Sequence, residues 1–599
     1  MSITAPSLTA QIAGTSFQDR FQALHANAPG QNDSARLYAI FQTWYEYGMH
    51  EYPEWATYEG YPGGEDRLTD MSMEAIARRK QEVHWPLDAI ATIDRTHLAP
   101  GDRTNYDLFR RDLETQIEGQ RFAGELMPIN QLGGIQQDIP QLMAVMPSAR
   151  VKDYENMLAR LRAVPHAMEQ TIALMKEGIA RHIVPPSVTM RDVPQQVLNV
   201  IPDNPAASAI LQPFNDMPAS IPEAERTRLR EEAHALYRSA IVPAYRSLHQ
   251  FLISTYLPAA RGTIGMSALP DGAAWYGYRV RQTTTTNLSP DAIFDLGMRE
   301  VKRIRGEMDK VIASTGFKGD FAAFTNYLRT DPMFFYTDSA SLLQGYRDIC
   351  KRADPELIRL FGKLPRLPYG VIAVPAYAEK SQTTAYYNPG SPEAGRPGYF
   401  YANTYDLKSR PKWEMEALAL HEAVPGHHLQ ISLAKEMEEV PQFRKNGDYT
   451  SFVEGWGLYS ESLGEEMGFY RDPYSKFGQL TYEMWRAIRL VLDPGIHVKG
   501  WTRQQAIDFF RENSGKAEHD IEVEVDRYIA WPGQATAYKV GELKIKELRH
   551  YAEEQLGDKF DIRAFHDHVL GEGAIPLDLL EQRIHAWVDA VKHMKDGER

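Results

Sequence analysis

Cysteine is almost absent: the 599 residues contain one, Cys350. No disulfide can close within the chain, and a thiolate-based metal site is excluded. One cysteine fits a reducing compartment without ruling out a periplasm. Long apolar runs are missing too. No stretch reaches the roughly eighteen apolar residues that a membrane-spanning helix needs, so membrane insertion is not expected. Met1 to Phe17 lack a basic start followed by an apolar core and do not read as a signal peptide. The chain as written therefore reads as cytoplasmic, or as periplasmic or a lipoprotein if an export signal was trimmed from it. Positive charge is short, with 66 Lys and Arg against 80 Asp and Glu and a net charge of −14. Such a surface repels phosphate backbones and anionic lipid, and no basic cluster relieves it, so nucleic acid is not an expected partner. The surplus acid keeps a large protein soluble, or lines a cleft that attracts cations. Fixed-period repeats and low-complexity tracts are also missing.

What is present is an ordinary globular composition, 43% hydrophobic and 24% charged. A chain this long exceeds what one core organises, so two or more lobes are expected. Apolar residues recur at three and four along 17–48, 73–93, 103–121, 152–181 and 222–258, which predicts amphipathic helices. Asp203 to Pro222 reads as a linker or surface loop. Near residue 260 the texture changes. Trp275 to Val280 followed by Gln282 to Thr286 is aromatic and β-branched and predicts a strand. Ser289 and Pro290 open a helix as N-cap and N1. Tyr369 to Tyr405 is strand-rich, helices return from Trp413, and Thr502 with Gln505 forms a capping box. The coarse picture is a flexible N-terminus over 1–16, an N-terminal helical lobe over 17–265, and a lobe of helices with a small sheet over 266–599.

The chemistry concentrates in Ala417 to Gln430, which contains His421-Glu422-Ala-Val-Pro425-Gly426-His427-His428. Zinc hydrolases commonly place two histidines four apart on a helix, so that both rings face one ion, with a glutamate after the first. Here the position four after His421 is proline. Pro425 has no N–H and its ring would clash with the preceding turn, while Gly426 tolerates unusual backbone angles. A regular helix is therefore not expected. A helix with a local bulge of two residues would swing His427 beside His421. His428 is the rival, but seven residues of helix rise about 10.5 Å, a poor span for two ligands that each bond zinc at about 2.1 Å. His427 is favoured. The third ligand is sought in Phe452 to Glu461, a helical pattern that puts Glu454, Leu458 and Glu461 on one face. Glu454 is the candidate ligand, with Glu461 and His428 as candidates to support the ligand histidines. Glu422 follows a ligand and can take the proton of a water activated by the ion.

The segment His-Glu-Ala-Val-Pro-Gly-His with Glu-Gly-Trp-Gly-Leu-Tyr-Ser-Glu after it resembles the bacterial DUF885 family. Arg486 to His497, Arg527 to Lys539, Tyr386 to Pro389 and Arg396 to Thr404 carry the same resemblance, which extends over most of residues 270–570. The family is grouped with gluzincin metallopeptidases and is similar to helical carboxypeptidases of the M32, M2 and M3 types. The resemblance implies a mainly α, two-lobed helical metallopeptidase fold, with a small β-sheet beside the active-site helices and a deep cleft. It also implies one zinc ion as cofactor and a catalytic lobe over 266–599.

Residue roles follow as expectations. His497 and Tyr538 are candidates to stabilise an oxyanion, a role that a His and a Tyr share in gluzincins. Arg486, Arg489, Arg527 and Lys539 are candidates to bind a substrate carboxylate, with ion pairs to Asp493, Glu522 or Glu524 as the competing reading. Asn403 lies in the matching strand and is a further substrate-binding candidate. An exposed edge at Tyr399 to Thr404 could receive an extended peptide, unless that strand is interior. Tyr386, Tyr387, Tyr399, Tyr401 and Tyr405 either line a specificity pocket or serve packing. Together these imply a zinc hydrolase for amide bonds of short peptides, of carboxypeptidase or dipeptidase type. The alternatives are a zinc amidase for non-peptide amides or acyl-amino acids, and a non-catalytic binding protein with a vestigial metal site. The sequence is silent on oligomeric state, and a homodimer stays open.

Overall fold

The computed structural model describes residues 15–26, 32–375, 379, 383–391, 395–438, 440–445, 447 and 449–593. Most of the N-terminal stretch expected to be flexible, and the junction inside the helix expected over 17–48, lie outside them. Either side of that junction stand two helices, Phe17–His25 and Asp33–Glu51. The chain divides into two compact units. One comprises Met1–Ile264 with Ala268–Asp271 and Pro441–Phe443, and the other holds the rest. Among the described residues no helix is long and apolar enough to cross a membrane.

The first unit is helical. Its longest element, Val151–Ala180, buries Tyr154, Leu158, Leu161, Val164, Met168 and Met175 along one stripe. That three-and-four spacing turns one face to a core shared with Val193, Phe214, Leu229, Tyr245 and Leu252. The helical pattern over 222–258 is continuous but twice widened, by π-helical turns at Tyr237–Ile241 and Leu252–Tyr256. Residues 203–222 are not a free linker. Short helical turns there put Ile210, Leu211 and Phe214 into the core.

The second unit contains helices α1 (Gly272–Thr284), α2 (Pro290–Ser314), α3 (Met415–Glu422), α4 (His427–Lys435), α5 (Thr450–Leu463), α6 (Pro473–His497), α7 (Glu518–Ala530) and α8 (Ala537–Leu556). The strand expected at 275–286 is α1. Its buried residues Tyr276, Val280 and Thr284 fall four apart, a helical period that overrides β-branched composition. The threonine hydroxyls are absorbed by the helix itself: Thr283 and Thr284 donate to the carbonyls of Arg279 and Val280 at 2.9 and 2.8 Å. Ser289 caps α2 by accepting from the Ala292 N–H, with Pro290 at its first position. Thr502 and Gln505 form both halves of their capping box.

Among the described residues the sheet has three strands, β1 (Tyr369–Ala373), β2 (Ala385–Asn388) and β3 (Gly398–Ala402), in the order β1-β3-β2. β3 pairs parallel with β1 and antiparallel with β2. It is therefore interior, which decides between the two readings left open for Tyr399 to Thr404 against the exposed edge. The edge beside α3 is β2. Helices α5 and α8 cross in close contact because Gly455 and Gly541 meet there. A methyl group on Gly541 would come within 1.8 Å of the Ser451 carbonyl oxygen, so nothing larger than glycine permits this crossing.

Candidate metal centre

Helix α3 is buried on every side from Ala417 to Glu422. Its last helical bond runs from the Ala423 N–H to the Ala419 carbonyl. Pro425 offers no donor to continue it, and the chain folds back over the helix end. A methyl group on Gly426 would lie 1.9 Å from the His421 carbonyl oxygen. The indole N–H of Trp456 fixes the turn by donating to the Pro425 carbonyl at 2.8 Å. A new helix, α4, then starts at His427. The break is thus two separate helices, not one helix with a two-residue bulge. Its result is that the rings of His421 and His427 stand 4.6 Å apart and nearly perpendicular.

Glu454, on α5, meets both rings. Its Oε2 lies 3.6 Å from His421 Nε2 and 3.5 Å from His427 Nε2. One ligand atom from each of the three residues lies within 4.8 Å of the others. Gly457 makes room for the first ring, since a methyl group there would touch it at 2.8 Å. Glu461, two turns from Glu454, accepts from His421 Nδ1 at 2.8 Å. A carboxylate can only accept, so Nδ1 carries a proton towards Glu461, and Nε2 is the nitrogen that faces Glu454 and His427. The contacts between the three groups are too long for good hydrogen bonds. Among the described residues, Glu454 Oε2 and His427 Nδ1 are buried without a partner.

The electrostatics agree with the geometry. Burial opposes a charge on His421, but the carboxylates of Glu454 and Glu461 outweigh it and push the ring up to about 9. Burial likewise opposes ionisation of Glu454, but the two imidazoles facing it outweigh burial and hold it well below the usual range. Buried carboxylates here want a cation. Two imidazole nitrogens and a carboxylate oxygen converging from three helices form a donor set that fits zinc.

Glu422, 8% exposed, lines a cavity of about 260 Å³ together with His421, His427 and Glu454. Helix α6 adds Tyr482, Trp485, Arg486 and Arg489, α7 adds Glu524 and Arg527, α8 adds Tyr538, and Thr383 to Tyr387 complete the wall. Arg489 pairs with Glu524 at 3.0 Å and donates to the Tyr528 hydroxyl. Arg527 lies 3.5 Å from the same Glu524 and donates to the Tyr538 hydroxyl at 3.1 Å. Arg486 lies 3.6 Å from Glu461. So each of these arginines faces a carboxylate and the cavity at once.

Four expected site residues are elsewhere. His497 is fully buried and outside the cavity lining. Its Nδ1 accepts from the Met266 N–H at 3.1 Å, and its Nε2 donates to the Tyr528 carbonyl at 2.9 Å. Both nitrogens are engaged, so an oxyanion role is corrected to a structural one. Lys539 is enclosed by Glu483, Glu542 and Glu300 at 2.7, 2.5 and 3.2 Å and lies outside the cavity lining. Asn403 donates to the carbonyls of Glu379 and Thr383 and accepts from the Tyr405 N–H. It shapes the stretch that carries the cavity wall without entering it. His428 faces away from the metal cluster: Nε2 donates to the Leu367 carbonyl at 3.1 Å and Nδ1 accepts from Tyr387 at 2.8 Å. Burial lowers its pKa to about 4, so it stays neutral. Of the five tyrosines, Tyr386 and Tyr387 line the cavity, Tyr401 stacks on Tyr386 at 4.8 Å, and Tyr405 is exposed.

Tyr482, Trp485 and Glu524 were not anticipated. A signal existed for the first two, since 482, 485, 486 and 489 form one helical face of aromatic and arginine residues. Glu524 could be seen only as an ion-pair partner.

The profile of a family described as "Bacterial protein of unknown function (DUF885)" matches residues 53–584. No curated protein matches the sequence. Among solved structures, a Colwellia psychrerythraea protein described provisionally as a lipoprotein is 28% identical, with a TM-score of 0.88 over 93% of this chain and all of that one. A Shewanella oneidensis protein of unknown function, also provisionally a lipoprotein, is 17% identical, with a TM-score of 0.71 over 92% of this chain and 99% of its own. At that identity the second likeness speaks for the fold alone.

Proposed function

The chain belongs to the DUF885 family, and we propose that this member is a zinc-dependent hydrolase of the gluzincin type that cleaves amide bonds in short peptides. The observation that carries the proposal is the convergence of His421, His427 and Glu454 on one point beside a cavity that Glu422 also lines. His421, His427 and Glu454 would hold the ion. When bound, zinc would supply Lewis acidity, lowering the pKa of water towards about 7 and polarising the scissile carbonyl. Glu422 takes the proton of the attacking water on its carboxylate and returns it to the departing amine nitrogen. Tyr538 accepts from Arg527, which leaves its own hydroxyl proton free to donate to the developing oxyanion. Glu461 holds His421 in the tautomer and orientation that binding needs. A helical metallopeptidase fold with a deep cleft is part of the same reading, and a cavity this small suits short substrates. The description of the Colwellia psychrerythraea structure, 28% identical, as a lipoprotein favours an exported protein over a cytoplasmic one.

The test combines zinc analysis with digestion of a panel of peptides, blocked peptides and acyl-amino acids. The expected result is about one zinc per chain and peptide hydrolysis that a chelator stops and zinc restores. Turnover confined to acyl-amino acids would establish the amidase instead. Protein with no affinity for zinc would leave only a binding role.

A further inference from the structure

Within ion-pair distance, the three arginines that line the cavity have more positive charge than their carboxylate partners neutralise. Arg489 and Arg527 share one partner, Glu524, and Arg486 faces Glu461, which is already hydrogen-bonded to His421. Three guanidiniums thus meet two carboxylates, and one positive charge is left over. The donors tell the same story. Arg486 Nε, Arg489 Nη1 and Arg527 Nε are buried and, among the described residues, have no hydrogen-bond partner. Arg489 is 2% exposed and Arg486 5%. Unsatisfied N–H groups on buried cations are costly, so they are kept where a ligand completes them. The remaining walls fix the guanidinium planes. Arg489 lies over the Tyr538 and Trp485 rings at 4.4 and 4.8 Å, and Arg486 over Tyr482 and Trp485 at 4.7 and 4.8 Å.

We infer that this cluster is a receptor for a single carboxylate, the free C-terminal carboxylate of the peptide, so that cleavage removes residues from the C-terminus. A surplus of one charge matches a monoanion and not a phosphate dianion. Planar guanidiniums suit a planar carboxylate. The metal cluster and the arginines line one cavity of about 260 Å³, which places the terminal group close to the bond that is cut. The inference rests on the hydrolase reading for its cleavage direction. Recognition of the carboxylate itself does not need hydrolysis.

Both parts can be tested separately. N-acetyl-phenylalanine and N-acetyl-phenylalaninamide differ only in the terminal charge. Calorimetric titration into the wild-type protein should show the acid binding about 50-fold more tightly than the amide, as expected for charge-assisted hydrogen bonds to a buried receptor. Peptides ending in a free acid should exceed matched carboxamides in kcat/KM by a similar factor, expressed mainly in KM. Arg527→Gln should narrow both ratios to within about threefold, through the acid. Equal binding of acid and amide to the wild-type protein overturns the receptor. Selective binding without any hydrolysis upholds it and counts against the hydrolase reading instead. Equal cleavage of acids and carboxamides overturns the C-terminal direction.

Discussion

Two buried polar clusters of the second unit differ in how they are closed. Around Lys539, three cations meet three carboxylates: Lys539, Arg303 and Lys546 against Glu483, Glu300 and Glu542. The charges balance from within, and the cavity does not reach them. Around His421 the count is unbalanced. Within ion-pair distance, Glu454 has only two imidazoles among the described residues, both at or beyond 3.5 Å. The comparison teaches that burial of charge does not by itself mark a site. A closed network is architecture, whereas an open one that lines a cavity asks for a ligand.

The largest effect is expected for Glu422→Gln, which should lower kcat by at least about 100-fold while zinc content is retained. Unchanged turnover would remove Glu422 from the chemistry. Lys539→Met leaves three carboxylates to two cations and should cost about 3–5 kcal/mol in unfolding free energy, without changing the zinc held by folded protein. A variant that is stable but loses zinc would erase the distinction between the clusters.

Asp493 supplies a pH test away from the metal. Burial raises its pKa to about 7, against the donors Tyr276 and Gly533 and the nearby Arg279 and Arg489. A raised carboxyl pKa means that the folded state binds a proton the unfolded chain has lost. The stabilisation is complete below the unfolded value near 4 and is lost as pH rises through about 7. Stability should fall by something on the order of 3 kcal/mol between pH 4 and 8 from this group, and Asp493→Asn should flatten that slope in denaturant titrations. An unchanged slope would mean that Asp493 ionises normally. The smallest effect is expected for Glu461→Gln, which should weaken zinc binding about 10- to 100-fold, measured by competition with a chelator. Unaltered affinity would show that His421 is oriented without it.

Much of this was legible in the chain because local rules govern it. The proline–glycine pair at 425–426 forbids a continuous helix, and that prohibition is what brings the rings of His421 and His427 to 4.6 Å. Caps at Ser289 and Thr502 could be read from adjacent residues. What stayed hidden depends on partners distant in sequence. His497 and Lys539 look like functional residues until Met266, Tyr528 and three glutamates occupy them. The aromatic run of α1 suggested a strand because its composition spoke louder than its period. The central place of β3 was invisible because strand order is set by pairing across loops.

Occupancy of the His421, His427 and Glu454 cluster can be read from zinc K-edge absorption on protein purified without added metal. The spectrum should show about one zinc per chain, with two imidazole nitrogens at about 2.0–2.1 Å and carboxylate oxygen in the same shell, and His427→Ala should abolish the signal. A wild-type protein that takes up no stoichiometric zinc, or a His427→Ala protein that keeps the same shell, would contradict it.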